Sequence, residues 1–233
     1  MGARAMLSFG AVLLLAGSAE AWAAERPSLA GRYWSTPGHG ATAFSEPPPL
    51  RDEYARTYAA RLESRRVGRP IGDPTAGCAG GGFPRVLNVP YPTEILETPD
   101  QMLWLWEGGD RVRRVYRPGR KGLETLPPLY SGVAVGQWEG EVFVIRSERF
   151  VDWTILDPTG VPHSAQMRTT ERISVAANGD LVDEVTIDDP VAFTRPWTLR
   201  FNLRKDPTIR MMEYSCEENN RNKPNAQGET TSK

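Results

Sequence analysis

From residue 85 onward, apolar and polar residues alternate with a period of two, in short runs separated by turn-forming residues. The runs cover 85–89, 93–98, 101–106, 111–116, 133–138, 141–146, 166–175, 180–187, 197–204 and 209–216. Gly108-Gly109, Glu139-Gly140 and Asn178-Gly179 lie between them, where a tight hairpin needs residues that tolerate positive φ. Upstream the period changes. Leu50, Tyr54, Tyr58 and Leu62 recur every four residues, beside Ala55 and Ala59, with three prolines before them and Gly68 after. That spacing predicts one amphipathic helix over 50–66, its aromatic stripe packed on the core. A further short strand is expected over 29–34. Many short strands with one helix, and no regular β–α alternation, predict a mainly β fold: an antiparallel barrel or a sandwich.

The N-terminus has a different composition. Arg4 precedes an apolar run over 6–16, and Ala21-Trp22-Ala23 has the small-x-small pattern of a signal-peptidase site. The run is shorter than the ~20 residues that span a bilayer, so residues 1–23 read as a cleaved signal peptide and the mature chain has no integral membrane segment. Residues 24–219 are expected to form a single β-rich domain, and the polar stretch 220–233 a disordered tail. The localisation expected is periplasmic or secreted. Lysine and arginine number 28 against 29 aspartates and glutamates, a net charge of −1. This balance has no electrostatic footprint for nucleic acid, so Arg111, Arg113 and Arg114 read as solvated strand faces or ion-pair partners.

Cys78 and Cys216 are the two cysteines. In an oxidising compartment an isolated pair reads as a disulfide, here closing a loop for which chain entropy gives roughly 4–5 kcal/mol. No cysteine or histidine stands at metal-ligand spacing, since His39 and His163 are the two histidines and lie far apart. The reading calls for no cofactor and no metal. Gly80-Gly81-Gly82 lacks the Lys-Ser/Thr of a phosphate loop and reads as a close-packing approach to Cys78.

Alternation also marks candidate chemistry. In 166–175, Glu171 shares a face with Met167, Thr169, Ile173 and Val175, while Gln166, Arg168, Thr170, Arg172 and Ser174 face water. In 180–187, Asp183 falls with Leu181, Val185 and Ile187. An inward carboxylate must be paired, hydrogen-bonded or neutralised. Two readings stand side by side: an acid/base cluster of Glu171 and Asp183 with His163, or a buried ion pair with Arg113 or Arg172. The direction of Glu213 is ambiguous. His163 sits in Gly160-Val161-Pro162-His163-Ser164, within a loop over 147–164, and its ordinary titration range suits proton transfer. Its alternative is a loop residue bonded to a backbone carbonyl. A second long loop, 117–130, ends at Tyr130; loops of this length tend to carry function. Trp104, Trp106, Trp138 and Trp153, with Arg113, are candidates for lining an apolar site, and core packing is the competing role.

Several short motifs occur in order: Tyr91-Pro92-Thr93-Glu94-Ile95, Trp138-Glu139-Gly140-Glu141, Gly160-Val161-Pro162-His163-Ser164, Glu171-Arg172, Thr186-Ile187-Asp188-Asp189-Pro190, Arg195-Pro196-Trp197 and Glu213-Tyr214-Ser215-Cys216-Glu217-Glu218-Asn219. Together they resemble an uncharacterised family of secreted bacterial proteins. That family's pattern has Asp-Thr where Arg146-Ser147 stands here, and the likeness carries no activity. The Gly31-x-x-Trp34 start and the one-helix, many-strand layout are also similar to calycin or lipocalin-like barrels, a likeness of fold alone. The leading expectation is an exported barrel whose partner is a small, mostly apolar molecule. Its rivals are a metal-independent acid/base enzyme (lyase, isomerase or hydrolase) and a cell-envelope interaction module.

Overall fold

The structure, a computed structural model, describes residues 26–35, 46–69, 72–108, 111–216 and 218; the expected signal peptide, His39 and the tail lie outside the described residues. Among the described residues the chain forms a mainly β fold with one α-helix. The strands are β1 (Gly31–Ser35), β2 (Pro92–Glu97), β3 (Gln101–Trp106), β4 (Arg111–Tyr116), β5 (Val133–Glu139), β6 (Val142–Glu148), β7 (Arg168–Val175), β8 (Leu181–Asp188) and β9 (Trp197–Lys205). They follow one another around a closed barrel in sequence order, and β9 returns to β1 through Tyr33↔Lys205, Trp34↔Arg204 and Ser35↔Leu203. The sandwich alternative is thereby excluded.

The period-two pattern becomes an inside and an outside. Met102, Trp104 and Trp106 on β3 face inward, as do Leu181, Val185 and Ile187 on β8 and Trp197, Leu199, Phe201 and Leu203 on β9. Each such large apolar side chain contributes roughly 1.5–3 kcal/mol when fully withdrawn from water. Trp104 donates its indole N–H to the Met102 sulfur at 2.9 Å, so the one polar atom of that ring is not left bare.

Four details differ from the pattern-based expectation. First, the barrel is mixed rather than antiparallel, because β4 pairs with β5 in parallel through Val115↔Ala134 and Tyr116↔Val135. The chain leaves β4 at Tyr116, and residues 117–132 loop out and return it beside the last residues of β4, where β5 begins. Gly136 permits the close approach there: a Cβ on it would lie 2.7 Å from Val115 Cγ1. Second, 85–89 is not a strand. Arg85–Asn88 forms a 3-10 turn with Pro84 at its N-cap, where the Val86 and Leu87 amides donate to the carbonyls of Gly82 and Pro84. Third, 209–216 forms no strand; it is held instead by the Cys78–Cys216 disulfide and by the Met212 amide on Glu107. It runs over the outside, and Glu213 is exposed.

The fourth concerns α1 (Asp52–Arg66), which lies on the surface with no fully buried residue. Tyr54 and Tyr58 pack on the core, but Leu62 is 42% exposed, so the stripe ends one turn early. There Arg61 crosses over instead, donating to the Gly160 carbonyl at 2.8 Å. Gly68, at φ 73°, stops the helix with its amide on the Arg65 carbonyl.

Candidate functional site

The parallel joint covers only one end of β4. Among the described residues no strand lies beside 111–114 on that side, because β5 starts at Val133. Three irregular segments stand there instead: the glycine-rich connector from Thr75 to Val89, the crossover 117–132, and the C-terminal stretch carrying Tyr214 and Cys216. Between them lies a cavity of about 590 Å³, within the range of roughly 300–1,000 Å³ usual for small-molecule sites.

Each wall has a local cause. The Cys78–Cys216 disulfide, with Cα atoms 5.6 Å apart, ties the connector to the C-terminal stretch, as the cysteine pair predicts. Tyr214 packs edge-on against Tyr91 at 5.3 Å, and the Met212 amide donates to a Glu107 carboxylate oxygen at 2.7 Å. Gly80 lets Tyr130 lie directly on the connector, where a Cβ would come within 2.5 Å of that ring. Asp73 anchors the connector from behind by accepting two hydrogen bonds from Arg85, at 2.6 and 2.9 Å. Burial works to raise the Asp73 pKa, but the Arg85 guanidinium and Thr75 outweigh it and hold it low.

The cavity lining is apolar at Val86, Val89, Val112, Leu126 and Leu129, and aromatic at Tyr91, Tyr116, Tyr130 and Tyr214. Among the described residues its charged members are Arg85, Arg111, Arg113 and Arg114, and no aspartate or glutamate lines it. Arg85 is neutralised by Asp73, and Arg113 points into the barrel to meet Glu171. Arg111 lies over the Tyr130 ring at 5.5 Å and donates to the Cys78 carbonyl at 3.4 Å. Among the described residues neither Arg111 nor Arg114 has a carboxylate partner.

No family model, curated protein or solved structure matches this chain. The barrel is the part of the earlier likenesses that stands; the secreted family and the lipocalin relation rest on motifs alone.

The carboxylates singled out by alternation lie elsewhere. Glu171 and Asp183 point into the barrel from adjacent strands, in register as Glu171↔Val185 and Ile173↔Asp183, and neither is exposed at all. Arg113 donates to both Glu171 oxygens, at 2.7 and 2.5 Å, and to the Ser147 hydroxyl at 2.9 Å, beneath the Phe83 ring at 4.0 Å. Arg172 is on the outer face, 3.8 Å from Glu139. Neither Asp183 oxygen has a hydrogen-bond partner. Burial pushes its pKa well above the usual carboxylate range, and the Glu171 charge adds to that, with Arg113 opposing. Asp183 is therefore held as the neutral acid.

His163 belongs to a third region, the loop 149–167. Its Nδ1 faces the Ser164 carbonyl at 3.0 Å and its Nε2 the Thr154 hydroxyl at 2.8 Å. A carbonyl accepts only, so Nδ1 carries the proton and Thr154 donates to Nε2. Burial lowers the His163 pKa against the opposing pull of that carbonyl and of Asp189. Asp189 braces the loop, accepting from the Ser164 amide and hydroxyl at 2.6 and 2.7 Å. Both ring nitrogens of His163 are thus engaged, and none of His163, Glu171 and Asp183 lines the seam cavity.

Of the aromatic candidates, Trp104 and Trp106 are core, their rings 5.6 Å apart. Trp138 packs on Phe143, and Trp153 stands behind the cavity wall, edge-on to Tyr130 at 5.0 Å. Arg113 alone among the expected site residues borders the cavity. Sequence reasoning read Arg111 and Arg114 as solvated strand faces or ion-pair partners, took Tyr130 only as the end of a long loop, and passed over Tyr116. One signal was present: β4 carries three arginines, and its neighbour β3, Gln-Met-Leu-Trp-Leu-Trp, has no acid to face them.

Proposed function

We propose that the protein is exported to an oxidising compartment and there binds a small, mostly apolar molecule in the cavity at the β4–β5 seam. The carrying observation is the cavity itself: a space of about 590 Å³ with valine, leucine and tyrosine walls, held in shape by a disulfide. The leader-like residues 1–23 and the disulfide support export, and no helix among the described residues is long and apolar enough to cross a membrane. In this reading residues 24–219 act as one β-rich unit with the polar stretch 220–233 trailing it. Binding is favoured over turnover because each proton-transfer candidate is already committed: His163 to Ser164 and Thr154, Glu171 to Arg113, and Asp183 to the dry interior.

The test uses the neutral fluorophore N-phenyl-1-naphthylamine. Wild-type protein is expected to enhance its emission saturably. Val112→Trp, at a position 52% exposed on the cavity rim, is expected to weaken binding about tenfold or more by filling the space. No enhancement by the wild type, or equal enhancement by Val112→Trp, refutes the assignment of the cavity.

A further inference from the structure

Net charge says little about this chain, yet charge is distributed unevenly within the cavity. Among the described residues four guanidinium groups border it and no carboxylate does. Two of the four are neutralised by the chain's own acids, Arg85 by Asp73 and Arg113 by Glu171. The other two meet no acid among the described residues. Arg111 is half-buried and steadied by an aromatic face and one long hydrogen bond, which leaves most of its N–H donors unused. Arg114 is exposed and makes no ion pair among the described residues. A cation beside a partly apolar wall keeps less of its hydration than one in open water, so an anion placed there meets a stronger field.

We infer that the ligand of this cavity is an anionic amphiphile: an apolar, preferably aromatic body with one carboxylate or phosphate group, the anion held by Arg111 and Arg114. The inference rests on the cavity being the binding site. Tyr91, Tyr116, Tyr130 and Tyr214 offer ring faces and edges to the body. The guanidinium forks match a carboxylate or a phosphate, while a neutral ligand would leave both cations uncompensated. A cationic ligand is disfavoured by like charge.

The test keeps the ring system fixed and varies the head. With N-phenyl-1-naphthylamine as reporter, 1-naphthoate, 1-naphthyl phosphate and 1-naphthol compete for the wild-type protein at neutral pH. At least one of the two anions is expected to displace the reporter at a concentration about tenfold lower than the neutral naphthol, the scale of one charge-assisted hydrogen bond. The better anion tells a carboxylate ligand from a phosphate one. Arg114→Gln, on an exposed side chain, and Arg111→Gln are each expected to shrink that advantage, read as the ratio of naphthol to anion potency within each variant. An unchanged thermal unfolding midpoint shows that the variant is still folded. Equal potency of naphthol and both anions overturns the inference and leaves the cavity assignment standing. So does an advantage that survives both substitutions. Failure of the reporter to bind the wild type removes the assignment and the inference together.

Discussion

Arg113 and Arg114 are neighbours in sequence on one strand, and the pleat sends them into opposite worlds. Arg113 is 2% exposed, gripped through two hydrogen bonds by Glu171, and roofed by Phe83. Arg114 stands outside and meets no acid among the described residues. The interior spends its cation on holding the barrel wall, whereas the seam leaves its cations available. A buried pair has given up its hydration and contributes little beyond keeping the other partner satisfied. An exposed arginine beside a cavity retains most of its hydration and remains free to exchange it for a ligand.

The comparison is broken most severely from the inside. Glu171→Gln leaves the Arg113 charge buried without its counter-ion, and urea unfolding is expected to show a loss of about 3–5 kcal/mol. A loss below about 1 kcal/mol would mean that Arg113 has found another anion. Asp183, whose carboxyl already feels the Arg113 charge, is the first candidate.

Asp183 tests the interior a second way. Its folded pKa is raised, so the native state keeps a proton that the unfolded chain has released. Stability must therefore fall as pH rises above the ordinary aspartate range near about 4, by at most about 1.4 kcal/mol per pH unit. Asp183→Asn is expected to remove that slope and to exceed the wild type in stability at neutral pH. His163 acts in the opposite sense. Its folded pKa is lowered, so stability falls as pH drops below the free imidazole value of about 6.5. Subtracting the Asp183→Asn profile from the wild-type profile isolates the carboxyl; a flat difference would show that Asp183 is not held neutral.

The smallest effect is expected at the seam. Arg114→Gln should change unfolding free energy by no more than about 0.5 kcal/mol. A larger loss would show that Arg114 holds structure rather than standing ready for a ligand.

These contrasts mark what a single sequence discloses. β3 and β4 begin and end where alternation and flanking turns place them, and Glu171 and Asp183 face inward as their apolar neighbours require. The identity of the counter-ion needed the barrel, since 58 positions separate Arg113 from Glu171. The segment 209–216 alternates as well as many true strands, but alternation reports a two-faced ribbon and cannot report whether another strand pairs with it. The cavity was hidden for a related reason. Its walls come from the connector, β4, the crossover and the C-terminal stretch, none with a periodic pattern that points at the others. The tryptophans drew attention by size, yet the largest rings were needed to fill the barrel, and the smaller tyrosines border the open space.

The single parallel pairing follows from counting. Each antiparallel step around a closed ring reverses the direction of travel, and a ring of nine strands returns to its start with an odd number of steps. Nine reversals would bring the first strand back pointing against itself. At least one step must therefore preserve direction, and here it is the step from β4 to β5. A direction-preserving step between consecutive strands cannot be made by a tight hairpin; the chain has to loop out and turn back so that the next strand runs the same way. Residues 117–132 make that journey, and they supply Leu126, Leu129 and Tyr130 to the cavity wall. An even-numbered ring built only from hairpins would have no such return path, so the parity of the strands accounts for this wall of the cavity.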